Sequence, residues 1–332
     1  MVTVCQGTMA TDRRMQHVGN SANEQSGKSG LNRVLIAVAT YKRPDGLHAL
    51  LQSLERASRA RPFEVLVVDN DANGTGRSVA EASPLNVSYV IEPKPGIAAA
   101  RNRAVDMIGD YDAVVFVDDD EYVVEGWLDH LVEYAESSTA GVVTGPVESV
   151  FPDNAPRWVV KGGFIQRPAW PHGTVLTAGA TNNTLLKIAA WNAAGAPRFD
   201  DTFSATGGSD AKLFSVLLAR GVRIEFCATA GVFEPVLPER MRLKWLARRG
   251  YRNGIVSARI WELKHGRAKT LVKGVVLALS GLVKALRDLV LGRGLQAGSF
   301  NGLMNGLGVV SALIGVRVHE YKRKPDPKPV RA

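Results

Sequence analysis

From residue 33 onward the chain alternates short apolar, β-rich runs with stretches whose apolar positions recur at helical spacing. Residues 34–39 are the first such run, and a strand is expected there. Pro44 can open the next helix because its fixed φ suits a first helical turn, and Leu47, Leu50, Leu51 and Leu54 then repeat on one face. Further strands are expected at 64–68, 87–91 and 113–117, with a helix at 97–108 between the last two. Alternation of this kind predicts an α/β fold, with parallel strands and helices packed on the sheet. Ligands of such open sheets bind outside the carboxyl ends of the strands.

The middle of the chain is less regular. Residues 141–150 read as one or two strands, after which Pro152, Pro156, Gly162, Gly163, Pro168 and Pro171 mark a long loop, either a lid or acceptor-facing segment or a plain connector. Strands at 184–187 and 222–226 flank a helix at 209–220. Beyond residue 255 the character changes. Residues 271–291 are strongly apolar but carry Lys273, Lys284, Arg287 and Asp288, whereas 295–316 hold no charge and space Gly298, Gly302 and Gly306 by four. At about 1.5 Å per residue the second stretch is long enough for a bilayer span. Close helix–helix packing accounts for the glycines equally well. Membrane contact is therefore expected through an interfacial or hairpin-like anchor rather than a clean crossing. The expected division is a disordered leader (1–31), an α/β domain (32–255), a helical, membrane-associating extension (256–320) and a basic tail (321–332).

Composition adds a bias of charge. Hydrophobic and charged fractions of 45% and 22% are ordinary for a globular chain, but the net charge is +9. The excess gathers at Arg240, Arg242, Lys244, Arg248, Arg249 and Arg252, and again at Lys322, Arg323, Lys324, Lys328 and Arg331. Such clusters suit phosphate-bearing ligands or an anionic membrane. No recognised nucleic-acid module accompanies them, so nucleic acid is not an expected partner. Cys5 and Cys227 form no CxxC pair, which gives neither a disulfide framework nor a zinc site and fits a reducing cytoplasm. The first thirty residues lack the apolar core of a secretory signal.

The acidic run Asp118-Asp119-Asp120-Glu121 at the end of the fourth strand is the strongest chemical signal. Adjacent carboxyls repel unless a cation or solvent relieves them. A hard divalent ion held by one or two carboxylates, with diphosphate oxygens completing its shell, answers that need. An acidic turn opening the helix near Trp127 is the plainer alternative. Thr40-Tyr41-Lys42-Arg43-Pro44 follows the first strand and Asp69-Asn70-Asp71 the second. Tyr41 offers a face for a base, and Asp69 an acceptor for a ring N–H or a ribose hydroxyl. Arg101, in the segment 95–102 that opens the third helix, can reach a phosphate or brace the acidic run. Thr206-Gly207-Gly208-Ser209-Asp210 sets a carboxylate beside a glycine turn, where Asp210 equally suits a first-turn acid.

The order TYKRP, VVDND, PGIAAARN, FVDDDE, GGSD before a helix, and WLARRGYRNG resembles family 2 glycosyltransferases of the GT-A fold. Phe233-Glu234-Pro235 and Pro238-Glu239-Arg240 are similar to phrases of succinoglycan-type exopolysaccharide transferases. The resemblance implies a mostly parallel central sheet flanked by helices, here with a C-terminal helical extension. It also implies a nucleotide-diphosphate sugar donor, usually UDP-linked, with Mg²⁺ or Mn²⁺. It puts Thr40, Tyr41, Arg43 and Asp69 at nucleotide-binding positions, and Asp71, Arg101, Asp118 and Asp119 are expected beside them. Asp118 and Asp120 take the Asp-x-Asp positions, with Asp120 as the direct metal ligand; three consecutive aspartates leave the register open. Asp210 matches the base that activates the acceptor. The family's usual glutamate before it is Ser209 here, which removes a carboxylate. Arg248, Arg249 and Arg252 resemble a basic segment over the diphosphate or a lipid-linked acceptor. The Gln-x-x-Arg-Trp pattern of processive enzymes is absent, so addition of one sugar is expected. The implied function is an inverting transferase of cell-surface polysaccharide synthesis, at the inner face of the cytoplasmic membrane. A catalytically silent assembly factor and a sugar-phosphate nucleotidyltransferase are the alternatives, the latter lacking its glycine-rich loop after the first strand.

Overall fold

The β-branched runs of the amino-terminal half pair side by side in a computed structural model that describes residues 30–58, 60–204 and 206–318. The expected leader and basic tail lie almost wholly outside these residues. Strand β1 (Val34–Thr40) leads into helix α1 (Pro44–Leu54), β2 (Glu64–Asp69) into α2 (Arg77–Glu81), and β3 (Val87–Ile91) into α3 (Ile97–Asp106). β4 (Ala113–Asp118) and the short β5 (Tyr122–Val123) precede α4 (Trp127–Ser137). β6 (Val142–Thr144) and β7 (Val147–Val150) follow, then α5 (Arg157–Lys161), β8 (Val175–Leu176), β9 (Thr184–Lys187) and α6 (Ile188–Ala193). The remainder comprises α7 (Ser209–Ala219), β10 (Ile224–Phe226), β11 (Val232–Pro235) and three long helices, α8 (Leu243–His265), α9 (Arg267–Val290) and α10 (Ala297–Leu313).

Eight strands form the main sheet in the order β3-β2-β1-β4-β9-β6-β10-β8. The β3, β2, β1 and β4 pairings and β10–β6 are parallel, while β9 runs antiparallel to both β4 and β6. A second sheet, β5-β11-β7, starts at Tyr122, directly after the acidic run. Because side chains alternate across a strand, β1 feeds two cores. Val34, Ile36 and Val38 pack with Leu47, Leu50, Leu54, Trp127 and Leu131, whereas Leu35 and Ala37 pack with Ala100, Ala104, Phe116 and Phe214. Asn183, at φ 53°, ties the two sheets together. It accepts a hydrogen bond from Trp127 Nε1 at 2.8 Å and donates to the carbonyls of Pro146 and Ala230.

The uncharged run 295–316 becomes the 17-residue α10, wedged against α8 and α9. Its backbone approaches theirs closely: a Cβ on Gly281 would lie 2.2 Å from Leu303 N, and one on Gly254 2.1 Å from Asn305 O. Within the run itself, a Cβ on Gly306 would lie 2.2 Å from Ala278 N and one on Gly302 3.4 Å from Gly281 Cα, so interhelical packing accounts for Gly306, while Gly298 meets nothing within 4 Å. Among the described residues no helix is long and apolar enough to cross a membrane.

Glu225 on β10 provides a pH-sensitive anchor for the sheet. Its Oε2 accepts hydrogen bonds from Tyr134 Oη at 2.7 Å and Ser138 Oγ at 2.5 Å, and Arg223 pairs with its other oxygen. Burial alone would raise this carboxyl, but those partners outweigh it and hold it below the ordinary glutamate range. Stability from a depressed carboxyl is present above the unfolded-state value and is lost as pH falls through the folded one. Glu225→Gln is therefore expected to cost about 1–2 kcal/mol at pH 7. The gap from wild type should be smaller at about pH 3 than at pH 7. Urea denaturation of both proteins at the two pH values tests this, and a gap undiminished in acid would contradict it.

Candidate functional site

Parallel register aligns the carboxyl ends of the central strands. Thr40 pairs across from Asp69, and Ala39 from Asp118, so three strand-end loops emerge along one edge. The first turn of α1 presses on the acidic turn, since a Cβ on Gly46 would lie 2.5 Å from Asp119 O. These loops, the start of α7 and one face of α8 enclose a cleft of about 1080 Å³.

The acidic run is held by arginines from three separate segments, with a fourth arginine behind them. Arg101 of α3 meets Asp118 at 3.1 Å, and Arg43 meets Asp119 and Asp120 at 3.0 Å each. Arg240 bridges Asp120 at 2.9 Å and Glu234 of β11 at 2.6 Å, and Arg167 closes on Glu234 at 2.6 Å. Thr40 Oγ1 donates to Asp119 Oδ2 at 2.8 Å. Glu121 turns back inside, its carboxylate accepting the Asp118 N–H at 3.1 Å. Despite these cations the run remains short of positive charge. Burial pushes Asp119 up to about 6 against the pull of Arg43 and Thr40. Glu121 is raised well above the glutamate range by burial and by Asp118. Asp118 keeps 38% of its side chain accessible, yet burial followed by the repulsion of Asp120 raises it too, with Arg101 opposing.

Across the cleft, Asp210 stands in the first turn of α7, its Oδ1 accepting the Ala211 N–H at 2.8 Å. Gly208 caps that helix at φ 95° and abuts α8: a Cβ there would lie 2.3 Å from Val256 Cγ1. Only glycine suits both the left-handed backbone and the space. Ser209, where a glutamate is usual, is buried with its Oγ unbonded among the described residues. From α8, Trp245, Arg249, Arg252, Asn253, Val256 and Trp261 face the cleft. Arg249 lies over the Trp245 ring, 5.0 Å from its centroid, and makes no hydrogen bond among the described residues. Burial, followed by Arg167, Arg252 and Arg240, pushes its guanidinium down to about 10.

Of the residues singled out in the sequence, Thr40, Tyr41, Arg43, Arg101, Asp118, Asp119, Asp120, Asp210, Arg249 and Arg252 all open on this cleft. Three do not. Asp69 is fully buried, and protein donors occupy both its oxygens: the N–H groups of Asp71 and Gly76, each at 2.8 Å, and Tyr89 Oη at 2.6 Å. It orders the loop after β2 and does not line the cleft. Asp71 is buried beneath the same loop, and Arg248 is exposed on an adjoining face of α8. Asn70 takes the cleft position on that loop, donating to the carbonyls of Glu92 and Lys94 and accepting the Gly96 N–H. Sequence reasoning also missed the Arg167–Glu234–Arg240 network. Glu234 and Arg240 lay within the phrases that carry the resemblance, but no spacing marked Arg167 in its proline-rich loop. That loop contributes both α5 and Phe164, which is buried against Val159, Met241 and Leu246, so part of it is core rather than lid.

The profile described as Glycosyl transferase family 2 matches residues 35–192, which carry the strand-end loops and the acidic run. The chain is 34% identical over 298 residues to the succinoglycan biosynthesis protein ExoM of Rhizobium meliloti (strain 1021), covering 86% of this chain and 94% of that protein. Among solved structures, S. aureus TarS is similar with a TM-score of 0.50 at 14% identity, over 84% of this chain and 55% of the TarS chain. That last likeness is one of fold, and it agrees with the GT-A architecture that the resemblance implied, a mostly parallel central sheet flanked by helices. With 34% identity to ExoM over 86% of this chain and 94% of that protein, and the profile matched over the residues that bear the strand-end loops, the chain belongs to glycosyltransferase family 2.

Proposed function

We propose that the chain transfers one sugar, with inversion, from a UDP-sugar to a hydroxyl of a lipid-linked glycan during exopolysaccharide synthesis. Its proposed place of work is the cytoplasm, at the inner face of the cell membrane. The observation that carries this reading is that Asp210 and the Asp118–Asp120 run open on the same cleft, whose volume of about 1080 Å³ has room for a nucleotide sugar and an acceptor end together. In this reading Tyr41 stacks on the base, and Arg43 and Arg101 hold the aspartates in place. Asp210 accepts the proton of the acceptor hydroxyl as its oxygen bonds to the anomeric carbon. The bond from that carbon to the diphosphate oxygen breaks, and its electron pair leaves with the nucleotide. Arg249 is suited to the departing charge because it is a half-buried cation with no ion pair of its own among the described residues.

A divalent ion fits the acidic run. Asp118 Oδ2 and Asp120 Oδ1 have no protein hydrogen bond among the described residues, and three of the four carboxyls are raised by burial and mutual repulsion. No cluster of three or more candidate ligands gathers there, so diphosphate oxygens would complete the shell. Asp120, with Asp118, would hold Mg²⁺ or Mn²⁺, and the ion when bound offsets charge on the diphosphate. The test is nucleotide release by purified protein supplied with UDP-, GDP- or dTDP-sugars, in Mn²⁺, Mg²⁺ or EDTA. Slow release of UDP from one donor, lost in EDTA, is expected. Release from a GDP- or dTDP-sugar alone would overturn the donor, and folded protein that binds no nucleotide would overturn the enzyme.

A further inference from the structure

The long helix α9 leaves one face uncovered. Val272, Val276, Leu279, Val283, Leu286 and Val290 recur at helical spacing along its length, with exposures from 56% at Leu286 to 85% at Val290. The opposite face, with Thr270, Gly274, Gly281 and Asp288, is the one buried against α10, so the apolar stripe is not this helix's share of the core. An uninterrupted aliphatic stripe on a 24-residue helix far exceeds the scattered apolar residues of an ordinary surface.

Charge selects the occupant. Lys269, Lys273, Lys284 and Arg287 lie along one border of the stripe, on the helix positions between it and the buried face. The helix contains one acid, Asp288, and it is buried, bonded to Ser299 Oγ at 3.0 Å and to Arg287 at 2.8 Å. A second copy of the chain would find no exposed acid on α9 to set against that basic border. An apolar face edged by cations and free of exposed anions matches the boundary between acyl chains and anionic headgroups. No helix among the described residues can cross a bilayer, so the fitting geometry is a helix lying in the interface.

We propose that the exposed face of α9 docks on an anionic lipid bilayer. Val276 and Val283 enter the acyl boundary, and Lys269 and Lys284 meet phosphate headgroups. Lys273 lies 3.6 Å from the centroid of Trp261, a cleft-lining residue of α8, so the docked face adjoins one wall of the cleft.

The test is co-sedimentation of the full chain with vesicles of phosphatidylcholine, alone or mixed with phosphatidylglycerol. Binding to the anionic vesicles is expected to exceed that to the neutral ones by at least about tenfold and to weaken with salt. Val276→Asp/Val283→Asp should reduce it by at least about tenfold while keeping the wild-type melting temperature, because both positions are already in water. Lys269→Glu/Lys284→Glu should erase the preference for anionic vesicles. Wild-type protein that ignores anionic vesicles, or an aspartate variant that binds like wild type, would overturn the proposal. So would a dimer, seen by sedimentation, that the aspartate variant dissolves while vesicle binding is unaffected. The readout needs no donor or acceptor, so its failure is separate from any failure of the transferase reading.

Discussion

Asp210→Asn is expected to lower sugar transfer by about 10²–10⁴-fold, the range over which a positioned general base acts. Asparagine preserves the shape and retains an oxygen for the Ala211 N–H, so α7 should start as before. Gly208 packed against Val256, not the Asp210 carboxylate, sets how that helix sits on α8. Nucleotide affinity should therefore stay within about twofold of wild type, since a group that acts only in the transition state contributes little to ground-state binding. Single-turnover transfer, nucleotide titration and thermal melting on the same preparation separate these effects. Transfer by folded Asp210→Asn near the wild-type rate would remove Asp210 from the mechanism.

The second large effect is expected at Arg240, which bridges Asp120 and Glu234 with only 15% of its side chain accessible. Arg240→Met keeps the length but leaves Glu234 to Arg167 and Asp120 to Arg43. Both acids are mostly shielded, at 9% and 23%, so the loss leaves the network one cation short in a poorly solvated place. A cost of about 3 kcal/mol in urea denaturation is expected, together with weaker donor binding as Asp120 loses its orientation. Adding Glu234→Gln should restore much of the stability, because the charge imbalance rather than the lost volume causes the deficit. A double variant no more stable than Arg240→Met alone would show that packing dominates.

Much of this was legible because strands and helices leave local signatures. The continuous apolar run of β1, buried on both faces of the sheet, and the leucine spacing of α1 are local consequences of strand and helix geometry, so both stand where the pattern put them. The strand-end position of Asp118 follows equally, since a buried β4 must stop where charge begins. Asp69 was harder to read. A carboxylate at a strand end can face a ligand or fold back to order its own loop, and the sequence is the same in both cases. Here Tyr89, donated by the neighbouring strand β3, completes the second arrangement.

What the sequence determined by itself, then, is the order of elements, the edge on which the chemistry gathers and the acids and arginines available to it. These depend on interactions a few residues apart, or on register between adjacent strands. Tertiary structure alone decided which charges meet. Arg240 reaches Asp120 across 120 positions and Arg167 reaches Glu234 across 67, and such pairings arise only when separate elements are packed into place. The same holds for the C-terminal helices: an uncharged glycine-rich run and an amphipathic one look alike as membrane candidates. Packing of backbone against backbone then buried one face of α10 and left the apolar face of α9 outside.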